Sequence, residues 1–112
     1  MHSMNSRAKG AVGEREWRDQ LRNEGFTARR GQQFAGGPDS PDVICEELSG
    51  LHMEVKRVQN LNLDKACEQA ERDSRGKPYI VAHRKNNKKW KVTMPSDLFF
   101  SLLRDGMEGI KK

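Results

Sequence analysis

Two carboxylates and one lysine stand at a spacing that suits metal-dependent cleavage of a phosphodiester. They occur in Pro41-Asp42 and, further along the chain, in Met53-Glu54-Val55-Lys56. A hard cation such as Mg2+ prefers oxygen ligands and keeps several waters, so two carboxylates and substrate phosphate oxygens suit it. The cation would acidify an attacking water and offset the charge that builds on the phosphate, and Lys56 would orient that water or stabilise the same charge. The pattern therefore indicates hydrolysis of nucleic acid.

The second of these segments is predicted to be a β-strand. Polar and apolar side chains alternate over residues 51–58, and the period of two along a strand sends successive side chains to opposite faces. Glu54 and Lys56 then share one face, while Met53 and Val55 share the other. We expect the apolar face to pack and the charged face to carry the chemistry.

A turn between two strands is expected to bring Asp42 beside Glu54. Residues 42–46 read as a strand, and Leu48-Ser49-Gly50 has the composition of a hairpin turn. His52 shares the face of Glu54, but a strand histidine more often packs or meets solvent than catalyses, so it stays outside the predicted mechanism. The bland alternative is a surface hairpin with a Glu/Lys pair, because E-x-K alone matches many unrelated strands.

A third carboxylate, Glu14, falls in an amphipathic helix predicted from about Ser6 or Arg7 to Asn23 and stopped by Gly25. Glu14 lies on the stripe that Trp17 and Leu21 would bury. An acid in such a stripe needs a partner, and the candidates are a metal-associated water, the strand lysine or a nearby arginine. The alternative is a glutamate that only interacts with the helix dipole.

The rest of the chain reads as alternating strands and helices within one domain. Its 112 residues suit a single module over 1–112, with a loose segment over 1–5. The remaining predicted elements are a strand over 25–30, a flexible loop over 33–40, a helix capped by Asn60 or Asn62 that ends near 75–76, strands over 78–83 and 90–94 joined by a basic turn, and a terminal helix over 95–106.

The charge balance favours a polyanionic partner. The formal net charge is +5 and the pI is about 9.5, which suits phosphate contacts that release counterions. We expect DNA to be contacted by basic residues near the ends of the elements that frame the site: Arg7, Lys9, Arg29, Arg30, Arg84, Lys85, Lys88 and Lys89. Basic charge alone would also fit an anionic membrane surface.

Sequence features point to a soluble, intracellular protein. No apolar run approaches the roughly twenty residues of a membrane span, and the N-terminus lacks the apolar core of a secretory signal. Cys45 and Cys67 are isolated, without the spacing of a zinc site or a redox pair, so we expect both to be reduced and structural.

The element order and several motifs resemble the PD-(D/E)XK nucleases, and specifically the archaeal-type Holliday junction resolvases. The resemblance covers nearly the whole chain and rests on Lys9-Gly10, Gly13-Glu14-Arg15-Glu16, Glu24-Gly25-Phe26, Arg30, Ala35-Gly36-Gly37, Pro41-Asp42-Val43-Ile44, Met53-Glu54-Val55-Lys56 and Glu68-Gln69-Ala70. It implies an α/β protein with the PD-(D/E)XK nuclease (restriction-endonuclease-like) fold, in which helices flank a central mixed five-stranded sheet. Small phage and plasmid nucleases would look similar.

The resemblance also implies roles for individual residues. Asp42 and Glu54 become metal ligands together with the Val55 carbonyl, and the bound ion is Mg2+, for which Mn2+ substitutes. Lys56 becomes the catalytic lysine. Glu14 becomes a second-metal or water-mediated acid.

Two further positions bear on the resemblance. Gln69 becomes a helix residue adjacent to the site, against the alternative of a solvated side chain. The resolvases usually carry a serine near the scissile phosphate where this chain has Ala35.

Several functions are compatible with these features. The first is an endonuclease acting on branched DNA; a relative with the same fold, the VRR-Nuc domain, suggests flap cutting or nicking instead. A non-catalytic basic nucleic-acid-binding domain is the alternative from another class, but binding alone has no use for carboxylates beside phosphate. A restriction enzyme is disfavoured because the chain has no spare segment for reading base edges.

A homodimer is expected, since resolving a four-way junction requires two symmetric cuts and one small domain carries one site. Residues 96–103 offer more apolar side chains than one helix face can bury, so Phe99 or Phe100 with Leu103 could reach a second subunit. The alternative is that these side chains only close the core.

Overall fold

The computed structural model describes residues 6–31, 42–106 and 108. Its elements are α1 (Ser6–Asn23), β1 (Ala28–Arg30), β2 (Val43–Cys45), β3 (His52–Arg57), α2 (Leu63–Ser74), β4 (Tyr79–Arg84), β5 (Lys91–Thr93) and α3 (Ser96–Asp105). This order is the predicted one. The predicted loop over 33–40, with Ala35-Gly36-Gly37, and Pro41 lie outside the described residues.

The five strands lie in two sheets, and the expectation of one five-stranded sheet is corrected for the described part of the chain. β1 pairs antiparallel with β2, while β3 pairs parallel with β4 and β4 antiparallel with β5. A single 3-10 turn, Glu46–Leu48, follows β2, and Leu51 N donates to Leu48 O at 2.9 Å. This broader connection replaces the predicted tight hairpin, so β2 reaches β3 without forming a ladder with it.

β3 is buried on both faces: the apolar face packs as expected, and the charged face is covered as well. α1 packs against the side that carries Val55, and α2 covers the side of Glu54. The relative solvent exposure is 1% for Met53 and 4% for Glu54. A strand in a parallel pair is usually covered by helices on both sides, because the crossover helix must lie on one face. The reactive carboxylate is therefore a buried group.

Local sequence signals explain where the helices begin and end. Asn62 caps α2, and its side chain accepts a hydrogen bond from Lys65 N at 3.1 Å. α1 ends at Asn23, two residues before Gly25, whose φ of +94° is available to glycine at little cost. Phe26 N donates to Leu21 O at 3.0 Å in the six-residue closure typical of a glycine-terminated helix.

Gly13 sets the distance between α1 and β3, and replacing it is expected to destabilise the fold. A Cβ at Gly13 would lie 2.6 Å from the Arg57 Cβ, whereas one at Gly10 would meet nothing within 4 Å. We expect Gly13→Ala to lower the free energy of unfolding by about 1–3 kcal/mol through overpacking. Gly10→Ala should raise it by up to about 1 kcal/mol, because alanine is the better helix former. Urea unfolding of the two variants checks this, and equal effects would contradict the close approach.

Within the described residues, none of the helices is both long enough and apolar enough to cross a membrane.

The core is built on the α1 side of the larger sheet, from Trp17, Val43, Met53, Ile80 and neighbouring side chains. A smaller apolar cluster of Ala66, Ala70 and Val81 fixes α2 to the other face. The larger sheet therefore has a cover on each side, with the candidate site on the α2 side. Both cysteines are free thiols, and Cys45 is buried as expected.

Candidate active site

The structure brings Asp42 and Glu54 within electrostatic reach of each other, as the spacing predicted. Asp42 directly precedes β2, and its carbonyl accepts from Gly31 N at 3.0 Å, which ties its backbone to the end of β1. Its side chain crosses to β3, where Oδ2 accepts a hydrogen bond from Val55 N at 2.8 Å. The side chain of Asp42 thus joins the two sheets one residue beyond Glu54.

The site carries an excess of negative charge in a poorly solvated position. Burial, followed by repulsion from Glu54, raises the pKa of Asp42 to about 7. Glu14 adds to the increase, while the hydrogen bond from Val55 and the charge of Lys56 oppose it. Two carboxylates held this way repel each other unless a proton or a cation lies between them. The electrostatics therefore fit a site for a divalent cation.

Lys56 is held at the site by α2. Its Nζ donates to Gln69 Oε1 at 2.9 Å, and Lys56 itself is half-buried. The α2 helix follows β3 and packs over the Glu54 side of the larger sheet. Gln69 therefore contacts Lys56 from α2. Gln69 is therefore adjacent to the site, as the resemblance implied, and is not a solvated side chain.

Glu14 meets an arginine, one of the partners considered for it. Its Oε1 accepts hydrogen bonds from Arg30 Nε at 3.1 Å and Nη2 at 2.9 Å, and Glu14 is 7% exposed. This pair links the middle of α1 to the end of β1. Glu14 remains close enough to act on the pKa of Asp42, so it lies at the edge of the site with its charge largely offset by Arg30.

His52 is the site residue that sequence reasoning left out. Its Nε2 lies 3.0 Å from Glu54 Oε1, and both side chains are buried. The period of two along β3 already put both residues on one face, so the signal was present. What the sequence did not reveal was the burial, which turns a shared face into a direct contact.

The predicted DNA-contacting residues fall into different environments. Arg29 and the turn lysines Lys85, Lys88 and Lys89 are exposed. Arg84 is engaged within the protein, because Nη1 donates to Glu16 Oε1 at 2.8 Å and Nε donates to Lys88 O at 2.7 Å.

The other predicted DNA contacts are partly outside the description or already paired. Arg7 and Lys9 belong to the first turns of α1, and their side chains lie outside what the structure describes. Arg30 is paired with Glu14. The exposed members of the predicted set are therefore Arg29 and the three lysines that follow β4.

The donor set suits a hard cation that retains its waters. Among the described side chains, no three His, Cys, Asp or Glu residues meet in a ready-made metal cluster. Mg2+ does not require one, since one or two carboxylates with waters and substrate phosphates complete its octahedron. Asp42 and Glu54 are carboxylates that could fill this role, and the raised pKa of Asp42 reflects a repulsion that a cation would relieve.

Comparisons with known proteins agree with this geometry. A family model described as archaeal Holliday junction resolvase (Hjc) matches residues 5–101. The chain belongs to the archaeal Holliday junction resolvase family. The match includes Asp42, Glu54, Lys56 and Gln69, so the family assignment and the assembled site describe the same part of the molecule and support a nuclease acting on Holliday junctions.

A solved relative within this resolvase family has a similar structure. Hjc from the archaeal hyperthermophile Archaeoglobus fulgidus, described as a Holliday junction resolvase and solved at 1.6 Å, aligns with a TM-score of 0.55 and 28% sequence identity. The alignment covers 77% of this chain and 72% of that chain. A search of curated protein sequences finds no match. The comparisons give no support to a phage origin.

In this resolvase-family protein, the carboxylate at position 42 is expected to reduce stability at neutral pH. The raised pKa of Asp42, about 7 against an ordinary 3.8, means that the folded protein holds a proton there that the unfolded chain has released. Stability in EDTA should therefore fall as pH rises from about 4 to 7. Asp42→Asn removes this effect, and at pH 8 it should gain roughly 2–4 kcal/mol over wild type.

Urea unfolding in EDTA at pH 4 and pH 8 measures this difference. The gain should be largest at pH 8 and small at pH 4, which is close to the ordinary pKa of 3.8, so that the unfolded chain still holds part of its proton there. The asparagine retains an oxygen acceptor for Val55 N, so the hydrogen bond that joins the sheets is preserved. An equal change in stability at both pH values would show that burial and Glu54 do not raise the pKa of Asp42 in the folded protein.

Proposed function

We propose that this protein is a metal-dependent endonuclease that resolves four-way DNA junctions, with Mg2+ as its cofactor and Mn2+ able to replace it. The observation that carries the proposal is the convergence of Asp42, Glu54 and Lys56, with Asp42 hydrogen-bonded to Val55 N at 2.8 Å. A protein that only bound DNA would gain nothing from buried carboxylates, since they repel phosphate. Membership of the resolvase family supports a branched DNA substrate.

Asp42, Glu54 and the Val55 carbonyl would hold the cation, with Glu14 acting through a water at the edge of the site. When bound, the cation supplies Lewis acidity and offsets the phosphate charge. The hydrogen bond from Val55 N fixes Asp42 Oδ2, so the carboxylate keeps one orientation. Arg30 similarly fixes Glu14 Oε1. The protein would thus present oxygens in preset positions before substrate arrives.

Lys56 would supply positive charge where the transition state needs it. An ammonium group has three donors, and the bond to Gln69 Oε1 at 2.9 Å uses one of them. The other two are then available to a phosphate oxygen and to the attacking water. Because Gln69 is neutral, it directs the ammonium without cancelling its charge. This division assigns Lys56 to catalysis and Gln69 to positioning.

A comparison of DNA structures tests the proposed activity. Purified protein with Mg2+ would be incubated with matched linear duplex, single strand, flap and four-way junction DNA of the same strands. We expect the junction to be cut fastest, by paired nicks on opposing strands. Preferential cutting of the flap would move the assignment to a VRR-Nuc-type activity. The absence of cleavage with either Mg2+ or Mn2+ would leave only a nucleic-acid-binding role.

We further propose that the protein works as a homodimer through α3. Phe99, Phe100 and Leu103 are 48%, 52% and 67% exposed, whereas Leu98 of the same helix is buried in the core. One face of α3 therefore closes the core while another presents large apolar groups to solvent. A second copy is the occupant that a paired cut requires, and this patch would supply an apolar contact between the copies.

Sedimentation of the wild-type protein and a Phe100→Ser, Leu103→Ser double variant tests the dimer. We expect a dimer for wild type and a monomer for the variant at micromolar concentration. Leu63→Ser serves as the control, since Leu63 is an exposed apolar residue at the start of α2. A wild-type monomer both with and without junction DNA would rule out paired cleavage by this route.

A further inference from the structure

We propose that His52 is a positioning residue for Glu54, holding its carboxylate in the orientation that receives the divalent cation. This inference rests on the proposed metal-dependent function. It adds a residue that neither the motif nor the resemblance assigns. His52 would not touch substrate or metal, and it would act through Glu54 alone.

The contact between the two side chains is short and shielded from water. His52 Nε2 lies 3.0 Å from Glu54 Oε1, and each side chain is 5% exposed. A carboxylate that ligates a cation can only accept hydrogen bonds, so in the metal-bound site the ring nitrogen that faces Glu54 would be the donor. The bond occupies Oε1 and leaves Oε2 for a cation. One oxygen of Glu54 is therefore anchored, and the other would be available to a cation.

The backbone of His52 is itself fixed by the larger sheet. His52 N donates to Pro78 O at 2.9 Å, and His52 is paired with Tyr79 at the start of the parallel ladder. The imidazole therefore projects from a rigid position, two residues before Glu54 on the same face. A donor fixed in this way can define the torsion angles of a flexible glutamate. Asp42 receives comparable support from Val55 N.

Each proposed ligand carboxylate thus has its own hydrogen-bonding partner within the protein. Outer-shell partners of this kind orient the ligand and influence metal affinity, and their loss typically weakens it by about 10–100-fold. A buried carboxylate without a donor would also carry a large desolvation cost. A purely structural role for His52 would affect folding, whereas a positioning role also affects metal affinity in protein that remains folded.

Three substitutions separate these roles. His52→Leu retains much of the volume and removes the donor. His52→Gln retains an amide donor that can reach Glu54, and His52→Asn carries the same amide one methylene shorter. His83→Gln is the matched control, because His83 pairs with Lys56 across the sheet but contacts Thr93 Oγ1 at 2.9 Å.

Mn2+ binding to DNA-free protein, measured by titration calorimetry, is the deciding readout. Thermal unfolding in EDTA would first establish that each variant is folded. We expect His52→Leu and His52→Asn to weaken Mn2+ binding by roughly tenfold or more. His52→Gln should stay within about threefold of wild type, and His83→Gln should not differ from it. Junction cleavage should show the same order in the Mn2+ concentration needed for half-maximal rate.

The outcomes distinguish this inference from the proposed function. If wild type binds Mn2+ and every folded His52 variant binds it equally well, the positioning role is overturned while the metal site stands. If wild type binds no Mn2+ and cuts no DNA, the proposed function is overturned and this inference with it. Should His52→Leu fail to fold, the comparison of glutamine with asparagine decides, and equal affinities for those two overturn the proposal.

Discussion

We expect Asp42→Asn and Glu54→Gln each to abolish junction cleavage in Mg2+ or Mn2+, a loss of at least about 100–1000-fold. Both changes remove a charged ligand while retaining side-chain shape, so the fold should survive. In Asp42→Asn, the amide oxygen can still accept the hydrogen bond from Val55 N, which is 2.8 Å long in the wild-type protein. The rate is measured in single-turnover reactions on a four-way junction, which separates chemistry from product release.

Junction binding in EDTA provides the complementary measurement. Either substitution removes a negative charge from a surface that approaches phosphate, so affinity should be retained or increased. Glu24→Gln is the control for charge alone, because Glu24 is exposed just beyond the end of α1. That variant should cut at the wild-type rate. Near wild-type cleavage by Asp42→Asn or Glu54→Gln would overturn the metal-site assignment.

Affinity for junction DNA in EDTA should fall by orders of magnitude as salt rises. Each phosphate contact contributes a slope of about −0.9 in log affinity against log salt for duplex DNA. The exposed lysines Lys85, Lys88 and Lys89 follow β4, in a turn where Arg84 Nε donates to Lys88 O at 2.7 Å. Replacing all three by alanine should make the slope shallower by about 2–3, since one phosphate contact is lost with each lysine.

Binding titrations at several salt concentrations measure both slopes. Lys77→Ala is the matched control, because Lys77 is also exposed but precedes β4, at the opposite end of that strand from the turn. It should leave the slope unchanged. A salt response that is flat for wild type, or identical for wild type and the triple variant, would exclude this turn as a surface that contacts phosphates.

The sequence by itself determined the features that depend on local rules. A helix capped by Asn60 or Asn62 was predicted, and the structure identifies Asn62, whose side chain satisfies an amide three residues later. Gly25 stops α1 because it accepts a positive φ. Alternation along β3 put Glu54 and Lys56 on one face, since a strand's period is a property of its backbone. Residue chemistry and spacing also carried the resemblance to the resolvase family.

Only the tertiary structure decided how the strands divide and how deeply the site is buried. The alternation over β3 is the same for an open face and for a face covered by a helix, so it could not reveal that α2 lies over Glu54. The break between β2 and β3 depends on the path of the chain through Glu46–Leu48. The composition of residues 48–50 indicated a turn, but it did not distinguish a tight hairpin from a broader connection.

The sequence likewise did not specify which charged side chains pair with each other. Arg30 meets Glu14 across 16 residues and Arg84 meets Glu16 across 68, and spacing along the chain does not specify such contacts. The same holds for His52. Its position two residues before Glu54 would also allow it to face solvent, but it is buried, and its Nε2 lies 3.0 Å from Glu54 Oε1. Long-range packing sets which polar groups lose water, and a group that loses water must find a partner nearby.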